Sequence, residues 1–228
     1  MRLLALLLLL VLKGIWRAQA YGEVLYHNIA FFLSYTIVRR RTADIERLAT
    51  EVFRAFVEET SRSSRFRAKL RVGYSLARHP GYRVHPDGTS DPICWEAPIG
   101  ITLYIHNKPV CGMAVQFCGK VLKIRQLQGI KDVRLPGVLR EAWTQVFARS
   151  CCRYASRRSF DCVRIYRADQ SLYYRYPVLQ GIHGNPSQAD LSTLRKRMCR
   201  RYDGTAEALG FAPKRRYYEW KAPKKEWY

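Results

Sequence analysis

The hexapeptide Gln126-Leu127-Gln128-Gly129-Ile130-Lys131 stands where a strand-like run, VLKIRQLQ (121–128), gives way to a helical pattern that opens at Pro136. Backbone N–H groups bared at such a junction, backed by the positive end of a helix, can hold a phosphate. A plain strand exit has the same letters: Gly129 then only ends the strand, and Gln126 and Gln128 are exposed polar pairs on it. Lys131 sets a cation beside either arrangement.

A second group of candidates is cationic. The chain carries 40 Lys+Arg against 18 Asp+Glu in 228 residues, a formal net charge of +22. A field of that sign favours anionic partners: nucleic acid, acidic lipid, or a polyphosphate cofactor. Arg149, Arg153, Arg157 and Arg158 run along and past one helical pattern. Arg195, Lys196, Arg197, Arg200 and Arg201 cluster on another, and Lys214, Arg215 and Arg216 open a tail interleaved with Tyr217, Tyr218, Trp220, Trp227 and Tyr228. Basic groups neutralise phosphates while aromatic faces stack on unpaired bases. No zinc-finger, RRM or recognition-helix pattern is present, so nucleic-acid binding through these residues would be sequence-tolerant. The competing reading is a solvated helix face with the aromatics packed into a last strand.

Other chemistries find little support. The five histidines (27, 79, 85, 106 and 183) are scattered, and no G-x-S-x-G supplies a hydrolase nucleophile. His79 and His85 have only Asp87 and Asp91 near them, short of a placed third ligand. The seven cysteines form no CxxC pair, so no metal cofactor is expected. An odd count in a chain this long reads as reduced, structural thiols.

The elements that must position these groups follow from periodicity. Thr42 caps a pattern in which Ile45, Leu48, Ala49, Val52, Phe53, Phe56 and Val57 recur at helical spacing, predicting an amphipathic helix over 43–60. Residues 61–94, rich in Arg, Ser, Pro and Gly, read as a long basic connection. IGITLYIHN, VCGMAVQFC and VLKIRQLQ then predict three successive antiparallel strands. A helix from about 136 to 154 and a strand over 161–168 follow, so that 121–128 and 161–167 lie parallel across a helical crossover. A basic helix from 189 runs on to a stop at Gly210, and residues 215–221 are expected as a closing edge strand. The fold class expected is α+β: an antiparallel meander, one parallel strand-helix-strand crossover, and N-terminal helices.

That order of elements, with Gln126 and Gly129 at the strand exit and Leu209-Gly210-Phe211 ending the last helix, resembles the GNAT acetyltransferase superfamily over about 98–221. The family's exit loop resembles Q/R-x-x-G-x-G/A, and Lys131 departs from it where a small residue is expected. The resemblance implies an acyltransferase that moves an acyl group from acyl-CoA to an acceptor left unspecified, with residues 126–131 (Gln126, Leu127, Gln128, Gly129, Ile130, Lys131) holding the coenzyme A phosphates. It also implies a tyrosine acid and a carboxylate base. Ala206 occupies the usual tyrosine position, which leaves Tyr202, one turn earlier, as the candidate acid, with Tyr173 and Tyr174 as further possibilities. The shared strand carries no carboxylate, so Glu96 is the candidate base and Asp132 the other. The LQG run (127–129) and the Tyr202-Asp203 pair also resemble VirK-type bacterial proteins, a likeness that carries no established chemistry.

The N-terminus combines a basic start, an apolar run at 3–12 and Ala18-Gln19-Ala20, the parts of a secretory signal. Lys13 and Arg17 intrude on that signal, and a second apolar run at 24–38 stops at Arg39-Arg40-Arg41. Three segments are expected: a signal-like or membrane-associated 1–41, the amphipathic helix and basic connection of 42–94, and a GNAT-like domain with a basic aromatic tail at 95–228. Membrane association on the cytoplasmic side is favoured, with the arginine triplet on anionic headgroups. Cleavage of the segment would instead mean export. The competing function is a non-catalytic basic module that binds nucleic acid or an anionic membrane surface.

Overall fold

The computed structural model describes residues 41–61, 71–77, 93, 95–130, 137–175 and 188–223. The expectations for residues 1–40 and for Lys131, Asp132, His79 and His85 lie outside the described residues. So does the side chain of Tyr173.

Apolar spacing dictates the first element. Helix α1 (Thr42–Ser61) buries Ile45, Leu48, Ala49, Val52 and Phe56, residues that share one stripe of a 3.6-residue repeat. Each of the Ile, Leu, Val and Phe side chains contributes about 1.5–3 kcal/mol by leaving water, and Ala49 less. The stripe lies against helix α2 (Gly137–Arg157) and belongs to the same core as the central sheet.

The fold is α+β, built on one seven-stranded mixed sheet. Its strands are β1 (Val72–Ala77), β2 (Ile99–Ile105), β3 (Lys108–Cys118), β4 (Val121–Gly129), β5 (Cys162–Tyr166), β6 (Ala212–Pro213) and β7 (Tyr217–Lys221). Their spatial order is β1-β2-β3-β4-β5-β7-β6, and only β4 and β5 run parallel. Two details differ from the sequence reading. The basic connection contains β1, which pairs with β2 from Val72 opposite Ile105 to Ala77 opposite Gly100, so the antiparallel run has four strands rather than three. The closing strand β7 is interior: β5 flanks it on one side and the two-residue β6 on the other. Pattern reading gives a strand's existence but not its neighbours.

A short helix α3 (Leu172–Arg175) and the long α4 (Gln188–Ala208) complete the described elements. Gly210 ends α4 as expected. Its φ of +70° suits a residue without a Cβ, and Phe211 N–H and Gly210 N–H donate to the carbonyls of Ala206 and Glu207.

Helices α1, α2 and α4 bury their side chains in one cluster with Ile99, Ile101, Leu103, Met113, Leu122, Ile124 and Ile165, so they share one face of the sheet. The opposite face is different. Over β2 and β3 it carries Gly100, Gly112 and Ala114, roofed by Ile93 and the fully buried Trp95. A methyl group added at Gly100 would overlap the Trp95 indole, so this close approach requires glycine there.

Strand β4 carries the feature that shapes the site. Ala114 pairs with Gln126 but Val115 pairs with Ile124, which leaves Arg125 as an extra, bulged residue. A bulge bends its strand and ends local pairing. Pairing to β5 covers Val121–Ile124 against Cys162–Ile165 and stops at that bulge. Beyond it β4 continues to Gly129 beside β3, and the two parallel strands part.

Candidate functional site

Where β4 and β5 part, backbone polar groups lose their ladder partners and something must replace them. Three consecutive residues of α4 do so. Leu127 N–H donates to the Tyr202 hydroxyl at 3.1 Å, and Arg201 Nη1 donates to the Leu127 carbonyl at 3.2 Å. On the other side of the opening, Ala168 N–H donates to Asp203 Oδ1 at 3.2 Å. Arg201 and Tyr202 thus satisfy β4, and Asp203 satisfies the turn that follows β5.

A polar thread runs through the opening. Tyr202, buried on the helix side, is hydrogen-bonded to Ser171, and the Ser171 hydroxyl donates to Glu96 Oε1 at 2.9 Å. Glu96 N–H in turn donates to Gln126 Oε1 at 2.9 Å, and Gln126 Nε2 donates to Gln128 Oε1 at 2.7 Å. Ser171 is only 2% exposed and Gln126 only 1%. Burial first, and then the Glu96 charge, push the Tyr202 phenol well above its ordinary range. Burial likewise raises the Asp203 carboxyl against the opposing pull of the Ala168 N–H.

Arg201 is the exceptional cation. Its guanidinium lies over the Trp143 ring at 5.6 Å and bonds the Leu127 carbonyl, but none of the ion pairs among the described residues involves it. Burial pulls its pKa down, and Arg197 adds like-charge repulsion, yet a guanidinium stays charged at any physiological pH. It sits beside Gly129, where a Cβ would come within 4.0 Å of Arg201 Nη2 and 3.5 Å of Trp143.

The nominated residues fall into three groups. Tyr202, Glu96, Gln126, Leu127 and Arg201 converge on the opening, with Gln128 and Gly129 at its rim. Gln126 is turned inward, into the thread, rather than toward an outside anion. Ile130 N–H extends the β3–β4 ladder to the Val110 carbonyl at 3.0 Å, so this amide of the nominated loop is already paired. Arg195, Lys196 and Arg200 rim a concavity of about 650 Å³ between α3 and α4, with Tyr174 on its floor beneath Arg195. Arg197, Lys214, Arg215 and Arg216 are exposed, the last three at the β6–β7 turn.

In the Arg149–Arg158 group, Arg153 and Arg157 reach acids of α1, and all four arginines remain exposed. Arg157 bonds Glu51 of α1 at 2.8 Å, and Arg153 lies 3.9 Å from Glu58.

Ser171, Asp203 and the bulged Arg125 were not nominated from sequence. Arg201 was grouped with a surface patch because its sequence neighbours are basic. The signal that separates it is helical: Met198, Tyr202, Thr205 and Ala206 mark the buried stripe of α4, and Arg201 borders it.

Burial raises the thiols of Cys111 and Cys151 far above their ordinary range and pushes Cys152 up to about 12, and a protonated thiol is a poor nucleophile. The six described cysteines are free. No group of three or more His, Cys, Asp or Glu is placed to hold a metal, and no helix among the described residues is long and apolar enough to cross a membrane. No family model and no curated protein matches the chain.

Proposed function

We propose that the protein is a GNAT-like acyltransferase that takes its acyl group from acyl-CoA and binds this donor in the opening between β4 and β5. One observation carries the reading: pairing of the parallel strands β4 and β5 stops at the Arg125 bulge, and the Leu127 N–H and C=O that it bares are satisfied by side chains rather than by a strand. A ligand arm bearing amides has the donors and acceptors to take those contacts over. Arg201, which makes no ion pair among the described residues, then becomes available to the donor's phosphates, and Trp143 backs its guanidinium.

The polar thread supplies the proton chemistry. Attack by an acceptor amine or hydroxyl forms a bond to the acyl carbon and breaks the carbon–sulfur bond. The acceptor's proton passes to the Glu96 carboxylate, and the Tyr202 phenol gives its proton to the departing thiolate. Passage of the Glu96 proton through Ser171 to the phenolate restores both groups, so no proton is gained or lost by the protein. The chain's own work is otherwise positional, holding donor and acceptor where reaction becomes effectively unimolecular.

The test is thermal unfolding of the full chain with and without coenzyme A, at low salt and at about 0.5 M NaCl. A ligand at ~100-fold over its Kd stabilises by about 2.7 kcal/mol, roughly 5–10 °C for a chain of this size. The expected shift survives salt and is lost in Arg201→Met. No shift, or one erased by salt and reproduced by any oligonucleotide, overturns the reading.

A further inference from the structure

The sheet face turned away from the described helices carries a pattern that the acyltransferase reading does not use. Its register rows place Lys123, Arg164 and Glu219 side by side on β4, β5 and β7, with Tyr166 opposite Tyr217 in the next row. The two tyrosine rings are 6.5 Å apart. The bulged Arg125 lies over the Tyr166 ring at 4.0 Å, and Arg164 lies over Tyr217 at 4.5 Å. Glu219 is the one acid in this set, and it is bonded by Arg164 Nε at 2.8 Å. All six residues are partly buried, the Arg164 side chain 28% exposed and that of Glu219 11%. The surface is therefore two aromatic rings tilted 48° to one another, each covered by a guanidinium, with net positive charge.

Cation–ring pairs also occur where the chain packs internally, as with Arg201 over Trp143, but these two stand side by side on one partly exposed face. Unpaired nucleobases stack on aromatic rings and on guanidinium planes, while the same cations neutralise the adjoining phosphates. We propose that the outer face of β4, β5 and β7 binds single-stranded nucleic acid by stacking bases on the Tyr166–Arg125 and Tyr217–Arg164 pairs. Each base meets a flat face without edge-specific donors, so binding is tolerant of sequence. The site stands on the face opposite α4 and is independent of the coenzyme A reading.

A chain with a net charge of +22 will attract any polyanion, so the test must isolate the bases from the phosphates. Binding of the full chain to fluorescein-labelled oligo(dT) is compared with an abasic strand of equal length and charge. The wild type is expected to prefer oligo(dT) by about tenfold. Tyr166→Leu/Tyr217→Leu, which keeps an apolar side chain in both strands, is expected to abolish the preference while leaving abasic binding within about twofold. Lys196→Ala/Arg200→Ala on α4 should weaken both strands alike. A measurement on the wild type guards against misfolded variants: oligonucleotide carrying 4-thiothymidine should crosslink on irradiation to peptides containing Tyr166 or Tyr217.

Equal affinity for oligo(dT) and the abasic strand overturns the proposal, as do crosslinks confined to other peptides. Phosphatidylglycerol vesicles provide the other arm. If the tyrosine variants lose vesicle binding and the wild type shows no base preference, the face is a lipid-binding surface and the proposal fails.

Discussion

The two halves of the sheet solve the same problem in opposite ways. Between β2 and β3 the strands stay in register from Ile99 opposite Val115 to Ile105 opposite Lys108, with one irregularity at Leu103/Tyr104. Both of their faces are sealed, one by the helices and the other by Trp95 lying flat on glycine. Between β4 and β5 pairing ends at the bulge, and three consecutive residues of α4 fill the breach with a hydroxyl, a guanidinium and a carboxylate. The sealed half stores stability in packing. The parted half holds buried polar groups whose bonds a ligand can inherit, which is why candidate chemistry gathers there.

The sharpest way to break the contrast is to spoil the seal. Gly100→Val drives a side chain into the Trp95 indole, and overpacking of this kind should cost about 3 kcal/mol, or roughly 6–12 °C in Tm. The measurement is thermal unfolding, with coenzyme A still stabilising the folded fraction. A variant as stable as the wild type would mean that the Trp95 roof is dispensable.

A smaller effect is expected in the parted half. Tyr202→Phe keeps the ring but leaves the Leu127 N–H without its acceptor, a loss of about 1–3 kcal/mol for a buried donor. The pH dependence gives the sign. The unfolded chain releases a tyrosine proton near pH 10, whereas burial keeps Tyr202 protonated to higher pH in the fold. Above about pH 10 the unfolded state therefore binds fewer protons, and stability falls as pH rises. The phenylalanine variant should lose stability less steeply there. If wild type and the phenylalanine variant lose the same unfolding free energy, measured in urea, between pH 9 and about pH 11, the hydroxyl is not buried as described.

Much of this architecture is legible in the residues. The α1 stripe, the hairpins around Asn107 and Gly119, the parallel return to β5 and the Gly210 stop each follow from local periodicity or turn chemistry, and each is present. Strand β1 is harder to read: Val72, Tyr74 and Leu76 do alternate with small residues, but over only six positions inside a basic, Ser- and Pro-rich stretch. The interior position of β7 depends on the two-residue β6, a strand too short for any pattern.

At the site, Tyr202 and Glu96 could be nominated singly, but Ser171, which joins them, lies 75 residues from Glu96 and has no local mark. The same holds for the bulge: which residue of β4 is extra depends on its register with β3, a nonlocal quantity. Arg201 shows the reverse error, since its basic neighbours suggest surface while its place beside the Tyr202 stripe puts it at the opening.

The central claim is that coenzyme A enters between β4 and β5 and takes over the backbone of Leu127. The most direct measurement follows backbone amide NMR signals of the ¹⁵N-labelled full chain as coenzyme A is added. The result expected is movement at Leu127, Gln128 and Gly129, with the β2–β3 amides of Ile101 and Met113 unmoved. Unchanged signals at 127–129, or shifts confined to Arg195, Lys196 and Arg200 on α4, would contradict it.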